Sequence, residues 1–474
     1  MNFAALFHDP LCILGLGIVT VVGLIVVLRV NAFLSLLAAA FLVSFMTPIA
    51  SGDWGDKVLR VANGFGTMAG KITIFIAMGS IIGKCMIDSG SADRIIRALR
   101  SFFGERLIPA SLISGGFILS IPLFYESTFY LMAPIARSVY RAVKKNYLLY
   151  LMAIGFGATL SHTLVPPTPG PVAAALTLNV PIGTMMLVGA MVGILTAPFA
   201  LGIAYVMNRL MPNPEIQLPE EPVTESQAGE STERQPSLLL ALAPIFIPVL
   251  LILTCSLFDM YEKANLLDWK TDAPALRNVF HVVGHPQMAM ILAALVAVAV
   301  LVQVQGVSFR KLESRIESAL LDAGLIILIV SAGGAFGEML RAANIGEAIR
   351  DRFQADAGLT GVLLLCVAFG ITAIIKTAQG SSTAAILAAA AIFSGIISAE
   401  GAAPLPYNVA YLAVTIGLGS CVTGWMNDGG FWLFCRIGGI KETDALKTWT
   451  VGLVFLGLSG LGVVLVLSRV LPLV

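Results

Sequence analysis

Lys376-Thr-Ala-Gln-Gly-Ser-Ser-Thr383, polar and glycine-bearing, interrupts two apolar runs, Val362–Ile375 and Ala384–Ile397. Neither flank is long enough to make a comfortable membrane span alone, and joining them without a break would put a lysine at bilayer depth. In hydrocarbon an irregular backbone survives only where protein or a water-filled cavity satisfies its amides and carbonyls, so the interruption reads as a binding loop. A lysine at the centre of a span costs roughly 2.5–3.5 kcal/mol even on the lenient insertion scale, which makes an intramembrane ionisable group a functional hypothesis by default. The alternative places Lys376 at the interface, with the serines making ordinary helix contacts.

Outward from this loop the chain is apolar nearly throughout. Its 474 residues are 57% hydrophobic and only 12% charged, against about 25% charged in an average soluble domain, and mean hydropathy is +0.90. This composition predicts an all-α polytopic membrane protein. Apolar stretches recur from residue 11 to residue 470, leaving no segment for a soluble domain of ordinary size. Candidate spans are 11–28, 31–50, 67–87, 108–122, 128–143, 148–165, 183–208, 238–257, 286–304, 320–340, 360–375, 382–398, 407–424 and 450–470. The pairs 108–122 with 128–143 and 360–375 with 382–398 are short enough for re-entrant hairpins, which leaves roughly ten or eleven crossings. Leu11–Leu28 lacks a basic lead and a small-residue cleavage site, and reads as a retained first span rather than a signal peptide.

The net charge of +1 is scattered through short loops rather than gathered with aromatics, which disfavours a nucleic-acid partner. Cys12, Cys85, Cys255, Cys366, Cys421 and Cys435 form no CxxC pair and lie mostly in apolar runs, as small buried hydrophobes would; no zinc site or disulfide framework is implied. Neither HExxH nor a GxSxG elbow occurs, and Gly66-Thr-Met-Ala-Gly70-Lys71-Ile72 is one residue short of a phosphate loop. The residues offer no cofactor site, and an enzyme is disfavoured.

Between residues 209 and 237 the apolar pattern stops, and prolines alternate with Glu215, Glu220, Glu221, Glu225, Glu230 and Glu233. A solvated linker here divides the chain into a first membrane repeat, 1–208, and a second, 238–474. Shifted by 254 residues, Ile82-Gly83-Lys84 falls on Phe336-Gly337-Glu338, Ala92–Arg97 on Gly346–Asp351, and Pro122–Thr128 on Lys376–Ser382. The basic segments 94–106, 137–145, 310–315 and 436–447 are expected in the cytoplasm by the positive-inside rule, which turns the second repeat upside down relative to the first. The expectation is two inverted-topology repeats with re-entrant hairpins and broken helices.

Four polar interruptions then stand in two pairs: Glu126-Ser127-Thr128 and Ser161–Pro171 in the first half, Lys376–Thr383 and Ser420–Phe431 in the second. Pro166, Pro167, Pro169 and Pro171 forbid an unbroken helix, since each removes a backbone donor and crowds the carbonyl four residues back. Half-helix amino termini at such breaks suit a carboxylate. The hydroxyls of Ser127, Thr128, Ser381, Ser382 and Thr383 suit a polyhydroxy substrate, and Thr168, Gly170, Gly380 and Asn427 complete the candidate binding set. Glu126 and Asp428 are either proton-coupling carboxylates or caps of broken helices. His162 either relays protons or is a hydrogen-bonded core histidine. Lys376 is the candidate counter-charge for an anion; its alternative is an ion pair with Glu126 or Asp428 that holds the repeats together. Gly66/Gly70, Gly79/Gly83, Gly189/Gly193 and Gly333/Gly337 are spaced for close helix contact.

Gly284-His285-Pro286, Ala378–Thr383, Met426-Asn-Asp-Gly-Gly-Phe-Trp-Leu-Phe434 and Lys447-Thr-Trp449, in this order, together with Gly83-Lys84, Pro122–Glu126 and Val165–Pro171, resemble the gluconate permease family of bacterial gluconate:proton symporters. The resemblance covers essentially the whole chain. It implies proton-coupled uptake, across the inner membrane, of gluconate or a related small hydroxy-carboxylate, or alternatively of D-serine. It also implies a dimer with an elevator-like moving domain. A passive channel built on the same polar loops is the alternative from another class. This chain departs from the family in carrying Lys376 where members carry arginine. A guanidinium grips a carboxylate in two parallel bonds and an ammonium does not, so the substrate does not carry over with the family.

Overall fold

The computed structural model describes residues 9–24, 28, 30–49, 53–104, 107–211, 236–263, 274–306, 309–343, 361–397, 405–425 and 428–473. Among them the chain is helical, without a strand. The first half contains α1 (Pro10–Val22), α2 (Ala32–Met46), α3 (Trp54–Asp88), α4 (Ser91–Phe103), α5 (Ile108–Leu119), α6 (Tyr125–Val143), α7 (Tyr147–Leu164), α8 (Pro169–Thr177) and α9 (Ile182–Leu210). The second contains α10 (Leu238–Lys263), α11 (Pro274–Val283), α12 (Pro286–Gln305), α13 (Phe309–Ala342), α14 (Val362–Gln379), α15 (Ser382–Ile397), α16 (Val409–Gly419), α17 (Gly429–Arg436), α18 (Glu442–Ala445) and α19 (Val451–Val470), with a π-helical turn, Leu446–Thr450, joining the last two.

Short polar residues set where several of these helices begin. The side chains of Asn31, Asp53, Asn408 and Asp428 each accept a hydrogen bond from the amide two residues on, at 2.8–3.0 Å, satisfying one of the donors that a helix start leaves free. At the other end of α14, Gly380 takes a left-handed conformation (φ 82°), which only glycine adopts without strain. The chain then restarts as α15 two residues later. The proline run acts as expected: α7 stops at Leu164, Val165 is extended, and α8 starts with Pro169, where a missing N–H costs nothing.

Two packing centres organise the rest. The long helices α3 and α13 lie along each other, with α2 against both and α12 against α3. Small residues permit this: a Cβ on Gly64 would fall 3.4 Å from Cα of Ala335, and one on Gly334 would strike Met68. The second centre is α7, which packs on α5, α6 and α9. Every residue of α7 is buried except His162.

Seven helical stretches among the described residues are long and apolar enough to cross a membrane, with six shorter apolar helices beside them. Several expectations are corrected. The segment 128–143 is not among either group: α6 carries Glu126, Arg137 and Arg141 and is amphipathic. Arg310, Lys311 and Arg315 sit on the opening turns of α13 rather than in a loop, and the basic residues of 94–106 lie largely on α4. A Cβ built on Gly66 or Gly70 would meet nothing within 4 Å among the described residues, whereas Gly83, Gly189, Gly193, Gly333 and Gly337 each face a neighbouring helix or turn closely. Cys366 is exposed and Cys12 and Cys255 are half-buried; of the six, Cys85, Cys421 and Cys435 fit the buried reading. The segment 346–351, matched to Ala92–Arg97, and most of the acidic linker lie outside the described residues.

Candidate functional site

Where the broken helices meet, they enclose a cavity of about 310 Å³. Each of the four polar interruptions contributes to its wall. Tyr125 and Glu126 come from the first turn of α6, and Thr159, His162 and Thr163 from the last turns of α7. Lys376 comes from the last turn of α14, Gly380–Thr383 from the α14–α15 turn and the start of α15, Cys421 and Asp428 from the segment before α17, and Gly429 and Gly430 from its first turn. Trp449 of the π-helical turn and Leu453 of α19 complete it. The convergence explains the exception on α7: His162 is its one incompletely buried residue because it faces this space.

Lys376 is 1% exposed and fully engaged on one side. Its ammonium donates to the carbonyl of Gly380, closing the end of its own helix, and lies 2.8 Å from Oδ2 of Asp428. Asp428 uses its other oxygen to cap α17, Oδ1 accepting from the amide of Gly430 at 2.9 Å. The pair therefore ties the end of α14 to the start of α17 within the second half of the chain; it does not join the two halves. Across the turn, Ser381 Oγ accepts from the amide of Ala384 at 3.3 Å and Ser382 Oγ donates to the carbonyl of Ser420 at 3.0 Å. The amino-terminal ends of α6, α15 and α17 all reach the cavity, so their free N–H groups and positive dipole ends favour negative charge there.

The rest of the wall offers neutral donors. Trp449 stacks on Phe434 (4.9 Å between centroids) and on Phe156 (5.6 Å), and Tyr125 tilts against its ring. These contacts fix the rings, yet the buried Tyr125 hydroxyl, Trp449 indole nitrogen and His162 Nδ1 have no hydrogen-bond partner among the described residues. All three atoms are occluded in this conformation, so a ligand bearing hydroxyls would pair with them only after a small shift of the wall.

Of the residues singled out from sequence, Glu126, His162, Lys376, Gly380, Ser381, Ser382, Thr383 and Asp428 line the cavity. Ser127, Thr128, Thr168 and Gly170 do not. Thr128 is fully buried elsewhere, the Thr168 hydroxyl donates to the carbonyl of Val165, and a Cβ on Gly170 would fall 2.8 Å from Ile386, so α8 is packed on α15 at this point. Glu126 is exposed, not buried. Asn427 lies outside the described residues. Sequence reasoning passed over Tyr125, Thr159, Thr163, Cys421 and Trp449. Four of these stood inside quoted stretches: Tyr125 in Pro122–Glu126, Thr163 in Ser161–Pro171, Cys421 in Ser420–Phe431 and Trp449 at the end of the Lys447-Thr-Trp run; Thr159 did not.

The chain has relatives over nearly its whole length. The GntP family permease model matches residues 10–470. A gluconate permease of Pseudomonas aeruginosa is 31% identical, with 98% of this chain and 99% of that protein covered. The Gnt-II system L-idonate transporter of Escherichia coli is 27% identical over 98% of this chain and its own full length. The fold resembles the crystal structure of the Alcanivorax borkumensis YdaH transporter, with a TM-score of 0.62 at 12% identity, covering 93% of this chain and 98% of that one. The cavity, the broken helices and the sequence match lead to one assignment: this chain is a polytopic membrane transporter, not an enzyme, and belongs to the GntP permease family.

Proposed function

We propose that the protein carries gluconate, or a closely related aldonate, into the cell across the bacterial inner membrane together with a proton. The observation that carries this reading is the make-up of the cavity: helix amino termini and an ammonium beside a set of hydroxyl, indole and imidazole groups, in about 310 Å³. A small molecule with one carboxylate and several hydroxyls matches that wall group for group. The relatives named for gluconate and L-idonate support the same substrate class.

Proton coupling follows from charge. The membrane potential opposes entry of a monoanion by roughly 2.3 kcal/mol per 100 mV unless positive charge travels with it. Glu126, His162 and Asp428 all border the cavity and are the groups available to carry that proton. The two halves, 1–208 and 238–474, are read as inverted repeats; the turn between α5 and α6 and the turn between α14 and α15 each bring a helix start to the same cavity, as such a relation requires.

The test is uptake of labelled gluconate into proteoliposomes of the purified protein, with an inward proton gradient and after an uncoupler collapses it. Concentrative uptake that disappears with the gradient is expected. Uptake that only equilibrates would indicate a facilitator, and inactivity towards gluconate, L-idonate and other aldonates alike would reject the substrate class.

A further inference from the structure

The cavity's cation is already taken. Lys376 has three protons to donate; Gly380 receives one and Asp428 Oδ2 another, the latter across 2.8 Å. The groups facing Asp428 are Lys376 on α14, Tyr125 and Glu126 on α6, His162 on α7 and Trp449 on the π-helical turn. With Lys376 and Asp428 neutralising each other, Glu126 at the exposed edge is the remaining carboxylate, and an arriving anion meets no uncompensated positive side chain unless His162 is protonated. Two carboxylates crowded on one ammonium resolve their repulsion by binding a proton.

We propose that Asp428 and the substrate carboxylate compete for Lys376, so that a proton on Asp428 frees the ammonium for the anion and the two cargoes load as a unit. This rests on the reading of the chain as a proton-coupled anion importer. On loading, an O–H bond forms at Oδ2 from an external proton as the ion pair opens, and Nζ turns to the substrate carboxylate. On release, the anion leaves, the proton passes to the internal solution, and Nζ returns to Oδ2. The cavity carries the same net charge empty and loaded. The geometry suits the exchange, because Oδ1 stays anchored as the cap of α17 while Oδ2 is released. Lys376 likewise stays tethered to Gly380, at the tip whose Ser381, Ser382 and Thr383 line the same space. By linkage, the proton strengthens substrate binding by the same factor as substrate strengthens proton binding.

The experiment uses the full chain in lipid nanodiscs with D-gluconate as the probe. In weakly buffered solution, the wild-type protein is expected to take up about one proton per gluconate bound, and its affinity to fall by about tenfold or more between about pH 5 and pH 8. Asp428→Asn keeps a capping side chain and mimics the protonated state. It is expected to bind gluconate with affinity flat across that range and to sustain gluconate counterflow, while failing to accumulate gluconate against a gradient. Gluconate binding without proton uptake by the wild type, or an Asp428→Asn variant with wild-type pH dependence, would overturn the exchange and leave the transport reading standing. Should the variant not fold, Asp428→Ser, which keeps a capping oxygen and cannot form the ion pair with Lys376, takes its place with the same expected outcomes. Absence of binding for gluconate and every other aldonate in the panel would instead remove the functional reading, and this inference with it.

Discussion

Gly155 on α7 lies flat against the ring of Trp449: a Cβ built at position 155 would fall 2.7 Å from Cη2 and closer still to Cζ3. The indole cannot retreat, because Phe434 and Phe156 stack on it with interplanar angles of 19° and 20°. Gly155→Ala is therefore expected to push Trp449 out of register and destabilise the protein by about 1–3 kcal/mol, the usual cost of overpacking a filled core. Thermal unfolding in detergent measures the destabilisation, and gluconate uptake measures the effect of displacing Trp449. An unchanged melting temperature would show that the ring has room the structure does not.

The Tyr125 hydroxyl and the Trp449 indole nitrogen differ from ordinary buried polar groups in having no hydrogen-bond partner among the described residues. Removing an unpaired hydroxyl costs the folded protein no hydrogen bond, whereas removing one that a ligand pairs costs binding. Tyr125→Phe is thus expected to leave thermal stability unchanged or slightly raised and to weaken gluconate binding by about 0.5–1.5 kcal/mol, roughly two- to tenfold. Titration of gluconate against the purified variant checks it. Loss of stability without loss of affinity would place the hydroxyl in the core rather than in the site.

How the cavity forms was partly legible beforehand, and the particular residues show why. Proline clusters, a lone lysine and an acidic residue before paired glycines cannot be hidden in an apolar helix, so all four interruptions announced themselves. Which side chains on them face inward depends on rotation about a helix, which composition does not reveal. Successive residues turn by about 100°, so Tyr125 and Glu126 reach the cavity while Thr128, only two positions on, points into the core. Trp449 lies in sequence among ordinary membrane aromatics; the π-helical turn Leu446–Thr450 and the bare surface of Gly155 bring it into the wall, and neither is readable from periodicity.

The ion pair between Lys376 and Asp428 has a stability consequence separate from transport. Their side chains are 2% and 19% exposed, so deleting one partner strands the other with little water. Lys376→Met is expected to destabilise by about 3 kcal/mol, while the double variant with Asp428→Asn recovers about 1–2 kcal/mol because no charge is left unpaired. Unfolding of the two single variants and the double variant in the same detergent gives the coupling. Simple additivity would mean that the two charges do not sense each other in the folded protein.

Arg341 makes the complementary case away from the cavity. From the end of α13 its Nη2 donates to Ser394 Oγ at 2.6 Å on α15 and to the carbonyl of Thr177 at 3.4 Å, the last residue of α8, while Ser394 Oγ donates to that same carbonyl at 2.9 Å. Glu338, one turn back, steadies the guanidinium at 3.1 Å. One arginine thus fastens the far ends of both segments that follow the helix breaks to the long helix α13, where water reaches part of the guanidinium. Ser394→Ala removes a buried donor and acceptor at once and is expected to cost about 1 kcal/mol; Arg341→Met, losing a charge-assisted bond as well, is expected to cost about 2 kcal/mol. None of the three groups borders the cavity, so gluconate affinity should stay at the wild-type value in both variants. Paired melting and binding measurements decide it: affinity that falls while the melting temperature holds would mean that α8 and α15 are set by this contact in the geometry the substrate requires.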